Sequence, residues 1–185
     1  MTLLILGLLL WIAAHVFNRV APEARAKLGP KGRGPIALSI LVSIALMVLG
    51  YRAAEYLPVY TPVPGIGHLN NLLMLVAVFS FGIGSAKGVL VDKIRHPMLT
   101  GMVIFAIAHL LVNGDLASII LFGGLGLWAV AEMLIINHTA GTWERPAPGT
   151  IKGDLKNAVI TLVIYAIVTG IHVWLGHNPF LGTYA

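Results

Sequence analysis

The chain has 185 residues, 58% of them hydrophobic and 10% charged, with a mean hydropathy of +0.90, far from the usage of a soluble domain. Twelve Lys and Arg against seven Asp and Glu give a formal charge of +5, but these residues sit in short gaps between apolar runs. That pattern reports orientation in a bilayer and argues against a nucleic-acid partner. The absence of cysteine excludes disulfides, iron–sulfur clusters, thiolate-ligated haem and cysteine-based zinc sites.

A bilayer core about 30 Å thick needs roughly 20 apolar residues of helix. Six segments qualify, near 2–20, 35–56, 69–90, 97–113, 116–137 and 155–176. The expected fold is all-α: a polytopic membrane bundle of about six transmembrane helices, with residues 1–185 forming a single domain. The first segment, opening MTLLILGLLLWIAA, has no basic stretch before it and no small-residue cleavage site after it, so it is expected to remain a permanent span. It carries His15. The second span runs into the loop LPVYTPVPGIGH at 57–68, whose Pro, Gly and two Tyr predict an ordered cap or interfacial strip on the outer face.

Small residues recur in the third span (Gly82, Gly84, Ser85, Ala86, Gly88) and in the fifth (Gly123, Gly124, Gly126). They suit close helix packing in lipid, and would equally admit a flat cofactor. The fourth span is short. It starts at Arg95-His96-Pro97, where Pro is tolerated at the first helical position and Arg95 would anchor the headgroups. It carries His109 and ends in Asn113-Gly114-Asp115, a tight turn in which Asp115 caps the next helix and leaves Asn113 free. The fifth span holds Glu132, expected to pair with Arg95, His96 or His15, or to snorkel. The sixth holds His172 and ends in the uncharged tail HNPFLGTYA.

Eleven of the twelve basic residues fall on one side: five after span one, three after span three and three after span five. By the positive-inside rule both termini face away from the cytoplasm, on the periplasmic side.

Ionisable side chains within the hydrocarbon are costly and therefore functional candidates. Here they are His15, His109, Glu132 and His172. A single bundle histidine can serve only to tie helices together through a hydrogen bond. Three on three helices point toward iron, because imidazole is the usual neutral ligand of haem and bundle cores hold such cofactors. Without Cys, and with one inward Glu where a di-iron site needs several, a single-His or bis-His haem b is the metal site this composition most readily supports. At about 1.5 Å per residue, His109 lies roughly 18–20 Å from the cytoplasmic edge, His172 roughly 25 Å and His15 about 7 Å. Depth thus pairs His109 with His172.

RHPM at 95–98, AHLLVNGD at 108–115, LFGGL at 121–125 and the first-span AAHVFNRVAPEAR at 13–25 together resemble the NnrU family of bacterial inner-membrane proteins over essentially the whole chain. That resemblance implies an inner-membrane, multi-pass protein associated with nitrite and nitric oxide reduction in denitrification. The same pattern is similar to the 15-cis-ζ-carotene isomerase family, membrane haem b proteins in which haem redox state controls cis–trans isomerisation of a polyene. Carried over, the iron ligands would be His15 and His109, with Arg95, Asn113 and Asp115 at the motif edges. His172 is the alternative partner given by depth. A cysteine that precedes the second ligand by one turn in the isomerases is Ala106 here, so ligand switching by that route is not implied. The expected partners are membrane lipid and a lipid-soluble polyene substrate, with homo-oligomerisation left open. The competing reading is a non-catalytic accessory, electron-transfer or assembly protein. RHP followed by Gly is also similar to isoprenylcysteine and phospholipid methyltransferases, but Leu99 stands where they have an aromatic residue and their later acidic pair is missing.

Overall fold

The computed structural model describes residues 1–181, apart from the side chain of Pro30; the last four residues of the uncharged tail lie outside the described residues. The chain is all-helical. Its elements are α1 (Thr2–Val20), the short interfacial α2 (Pro22–Lys27), α3 (Arg33–Arg52), α4 (Gly67–Ala86), α5 (Pro97–Val112), α6 (Leu116–Ser118), α7 (Gly124–Ala140) and α8 (Ile151–Trp174). A π-helical turn at Ile119–Gly123 joins α6 to α7, so that 116–140 is one continuous span.

Among the described residues, five helices are long and apolar enough to cross a membrane: Thr2–Val20, Arg33–Arg52, Gly67–Ala86, Leu116–Ala140 and Ile151–Trp174. The expected fourth span is α5, whose 16 residues rise only about 24 Å. The third and sixth spans begin and end earlier than the hydropathy suggests. α4 stops at Lys87, which turns into the left-handed region at φ 54°. α8 begins at Ile151 because Thr150 caps it, its side chain accepting from the Gly153 amide.

Large apolar side chains stay outward on several helices, among them Leu9 of α1 and Val163 and Trp174 of α8. Such a continuous greasy exterior suits lipid, not water. Inside, Leu4, Leu8, Met47, Ala117 and Leu125 form a buried cluster between α1, α3 and the 116–140 span. α1 and α3 pack face to face because Gly7 and Gly50 remove the side chains at the crossing: a Cβ at Gly7 would stand 2.7 Å from the Met47 amide nitrogen. With lipid tails as apolar as leucine, van der Waals contact of this closeness is what holds the pair. The same use accounts for Gly82, Gly88, Gly124 and Gly126, where an added Cβ would strike Asn157, Asp154, Leu8 and Ala106. Gly123 and Gly84 meet no such wall.

Contacts between loops join two of the three basic stretches, 87–95 and 141–156, at one end of the bundle. Arg95 Nη2 donates to the Gly141 carbonyl at 2.8 Å, closing the C-terminus of α7 with a cation. The Thr150 amide donates to the Lys87 carbonyl, and the Val89 amide to Asp154 Oδ2. The opposite end is closed by the 57–62 strap. Val59 and Tyr60 donate their amides to the Gly114 carbonyl, Leu116 donates to the Leu57 carbonyl, and Pro58 and Asp115 form an isolated antiparallel bridge. The 57–62 segment is thus an ordered cap, and it lies across the end of α5, the 16-residue helix.

Candidate functional site

The half of the bundle nearer the 57–62 strap contains a cavity of about 260 Å³ lined from α3 by Tyr51, from α4 by Asn70, Asn71, Met74 and Val78, from α5 and its end by His109, Val112 and Asn113, and from the π turn by Phe122. α8 and the tail complete it with Tyr165, Val168, Thr169, His172, His177 and Pro179. Three imidazoles therefore open on one mostly apolar space. His177 reaches it because Gly176, at φ 88°, reverses the chain and lets the His177 amide donate back to the His172 carbonyl at 2.8 Å. Asn71 Nδ2 then fixes the tail from α4 by donating to the Pro179 carbonyl at 2.8 Å.

Each intramembrane histidine is prepared in the same way. His109 Nδ1 lies 3.0 Å from the Phe105 carbonyl and His172 Nδ1 lies 2.8 Å from that of Val168, four residues back on their own helices. An imidazole that donates through Nδ1 carries its lone pair on Nε2, and this backbone bond is how metal-ligating histidines are usually oriented. The His109 ring is further clamped. It stacks on Phe122 with centroids 4.4 Å apart and planes 26° apart, and it lies 4.2 Å from Phe105. Phe122 occupies the π turn, a one-residue widening of the helix of the kind often found at functional sites.

Asn113 and Asp115 lie beside the cavity for different reasons. Asn113 Nδ2 donates to the His109 carbonyl at 2.9 Å, and the residue lines both this cavity and a neighbouring vestibule of about 390 Å³ under the strap. Asp115 also lines the vestibule, and it caps α6 as expected: Oδ1 accepts from the Ser118 amide at 3.0 Å and Oδ2 from the Ser118 hydroxyl at 2.5 Å. The strap keeps this turn in place through Tyr60, whose hydroxyl donates to the carbonyls of Leu110 and Asn113. Burial, and after it the Asp115 carboxylate, hold the Tyr60 phenol above its ordinary range, so it remains a donor at neutral pH. Gly114 makes the approach feasible, since a Cβ there would run into the Tyr60 backbone carbonyl.

Arg95 stands at the other end of the bundle, bound to Gly141, and His96 Nε2 pairs with Asn137 Oδ1 at 2.9 Å. The RHPM motif therefore ties α5 to α7 and does not line the cavity. His15 is also elsewhere. Its Nδ1 bonds the Trp11 carbonyl at 2.8 Å, and its ring lies 4.1 Å from Trp11 and 4.8 Å from Trp128. One turn further toward the basic end, Glu132 pairs with Arg19 at 2.9 Å, not with Arg95, His96 or His15. The two partners are 113 residues apart, and no local spacing foretells them.

The sequence reading did not single out Tyr51, Asn70, Asn71, Phe122, Tyr165 or Thr169. Asn70-Asn71 was the available signal, two consecutive amides inside an apolar span. Asn70 is 6% exposed and its Oδ1 is buried without a hydrogen-bond partner, a group that costs free energy unless a ligand or water meets it. Among the described residues no group of three or more His, Asp or Glu is arranged to hold a bare metal ion, whereas a haem needs one or two imidazoles.

Comparison with curated proteins and with solved structures returns no match. The family model described as NnrU protein matches residues 3–179, nearly the whole length. An all-helical, apolar bundle carrying this motif set thus belongs to the NnrU family.

Proposed function

We propose that this chain is a multi-pass inner-membrane haem b protein with both termini on the periplasmic side, holding the iron through His109 with His172 as its partner. The observation that carries this reading is the convergence of His109 and His172, each with Nδ1 committed to a backbone carbonyl, on one apolar cavity inside the bundle. The donor set fits haem: imidazoles, no thiolate, and the unpartnered Asn70 Oδ1 in the lining of the same space. The cavity is just below the usual range of ligand pockets, about 300–1,000 Å³, and the vestibule of about 390 Å³, which shares Tyr51, Val112, Asn113 and His177 with it, extends the space. His15, the partner implied by family resemblance, is packed between two indoles and is less suited to share an iron with His109.

Bound there, haem would supply a redox-active metal centre next to whatever enters from the lipid. The remaining roles belong to this chain. Phe105 and Phe122 stop the His109 ring from turning, Asn113 fixes the last carbonyl of its helical turn, and the strap over α5 holds the turn that follows His109. The apolar crevice between helices admits a lipid-soluble chain laterally, which supports cis–trans isomerisation of a polyene as the reaction. The family association with nitrite and nitric oxide reduction supports a place in denitrification, in a catalytic or an accessory role.

The test is absorption spectroscopy of the full-length protein purified after haem-replete growth. A Soret band that is lost in His109→Ala is expected, and a colourless, folded wild type overturns the haem reading. Conversion of a cis-polyene only after reduction is the expected sign of the isomerase. Iron that stays six-coordinate and low-spin in both redox states, with no conversion, overturns that part and leaves electron transfer.

A further inference from the structure

The crevice of about 640 Å³ that adjoins the histidine cavity lies between α4, α5 and α8. Its walls are apolar, with Met74, Val78 and Phe81 on one side and Ile160, Ile164 and Val168 on the other. Its polar residues lie at the basic end of the bundle: Ser85, Lys156, Asn157 and Thr161. Asn157 is used by the fold, donating to the Phe79 carbonyl at 2.9 Å. Thr161 is not. It is 4% exposed, and its hydroxyl is buried without a hydrogen-bond partner although it lines the crevice. A helical threonine ordinarily returns its hydroxyl to a carbonyl of the preceding turn, as Thr139 and Thr169 do here.

Depth along α8 orders these groups. Lys156 is five residues into α8, where charged residues give way to apolar ones, and Lys152 precedes it on the same face at i−4. Thr161 lies about 7.5 Å deeper, and His172 about 24 Å beyond Lys156. Asp154, the acidic residue between the two lysines, accepts from the Val89 amide through Oδ2, and its Oδ1 is buried without a hydrogen-bond partner. An exposed cation at headgroup level, an unmatched hydroxyl deeper in the same crevice and an apolar trough leading away match an amphiphile: phosphate at Lys156, an acceptor oxygen at Thr161, and a chain running away from the basic end.

From this geometry we propose that the α4/α5/α8 crevice binds one phosphate-headed, long-chain membrane amphiphile, its head at Lys156 and Thr161 and its chain directed toward His109 and His172. The site does not require iron. Together with the haem reading, it sets the side from which a substrate chain approaches and the end by which it is gripped.

Full-length protein in detergent is irradiated with a long-chain alkyl phosphate carrying a photoreactive group near the tail end. Labelling is expected on α4 and α8 around Met74, Val78 and Val168, displaced by unlabelled alkyl phosphate but not by the alcohol of the same chain or by inorganic phosphate. Lys156→Gln removes a charge-assisted contact and should weaken labelling roughly tenfold. Thr161→Val should weaken it severalfold, and Ile164→Trp should block the trough while the melting temperature stays within a few degrees of wild type. Equal displacement by the alcohol, labels spread over α1 and α3, or labelling indifferent to Lys156→Gln overturns the proposal. A colourless protein that labels as expected sinks only the haem reading, and a coloured one that does not label sinks only this site.

Discussion

Two histidine neighbourhoods in this bundle differ in what surrounds the same imidazole. His109 and His15 each bond Nδ1 to the carbonyl four residues before, and each lies against aromatic rings. At the strap end the rings stand beside an open cavity, and two further imidazoles from the α8 region face it. Toward the basic end Trp11 and Trp128 close on His15 and on each other, edge to face at 5.4 Å. Both indole N–H groups and Glu132 Oε2 are buried there without partners. Hydrogen bonding alone therefore does not tell the two apart. Their surroundings do: a cavity beside His109, two packed indoles beside His15.

The contrast breaks most sharply in paired variants. His109→Ala and His172→Ala should each abolish or strongly shift the Soret band, whereas His15→Ala should leave it in place with only a loss of stability. A spectrum lost in His15→Ala and kept in His172→Ala would reverse the assignment of the two ends. Next in size is Arg19→Ala, which leaves the Glu132 carboxylate, with a side chain only 8% exposed, without its cation. Loss on the order of 3 kcal/mol is expected, read as a lowered unfolding midpoint, and the additional change Glu132→Gln should recover part of it. No recovery would mean the pair contributes by packing alone.

At the outer end, Gly114→Ala forces a methyl into the Tyr60 carbonyl and should cost about 1–3 kcal/mol, together with faster haem loss because the strap holds the turn after His109. Tyr60→Phe is milder. It removes the donor to the Leu110 and Asn113 carbonyls and should cost about 1 kcal/mol, with the Soret position unchanged. A larger effect of Tyr60→Phe than of Gly114→Ala in thermal melts would show that the hydroxyl, not the backbone approach, secures the strap.

Several of these features are legible along the chain. The helical turns at His15, His109 and His172 carry their own preparation, since the i−4 carbonyl is always there in a helix. Asp115 announces itself as a cap by following Asn113-Gly114 and preceding an apolar run. The outer strap is signalled by its prolines and tyrosines, although its partner, the Gly114 carbonyl, is not. Arg95 reads as a motif residue, yet its contact is a helix C-terminus 46 positions away, a bond no spacing rule contains. Glu132 is equally opaque, because an ion pair across 113 residues depends on which faces of α1 and α7 meet.

Hydropathy and punctuation by themselves determined that the chain is an apolar helical bundle, that one of its helices is short, and that its charges collect at one end. These follow from costs paid residue by residue: burying a peptide group in lipid demands helix, and burying a charge is too expensive to scatter. Tertiary structure alone decided which histidines share a space, what Glu132 pairs with, and where the crevice runs. Those outcomes depend on the rotation of each helix about its axis, fixed by close contacts such as Gly7 on Met47 and by the π turn that carries Phe122, and a one-dimensional pattern with so little polar contrast does not encode that angle.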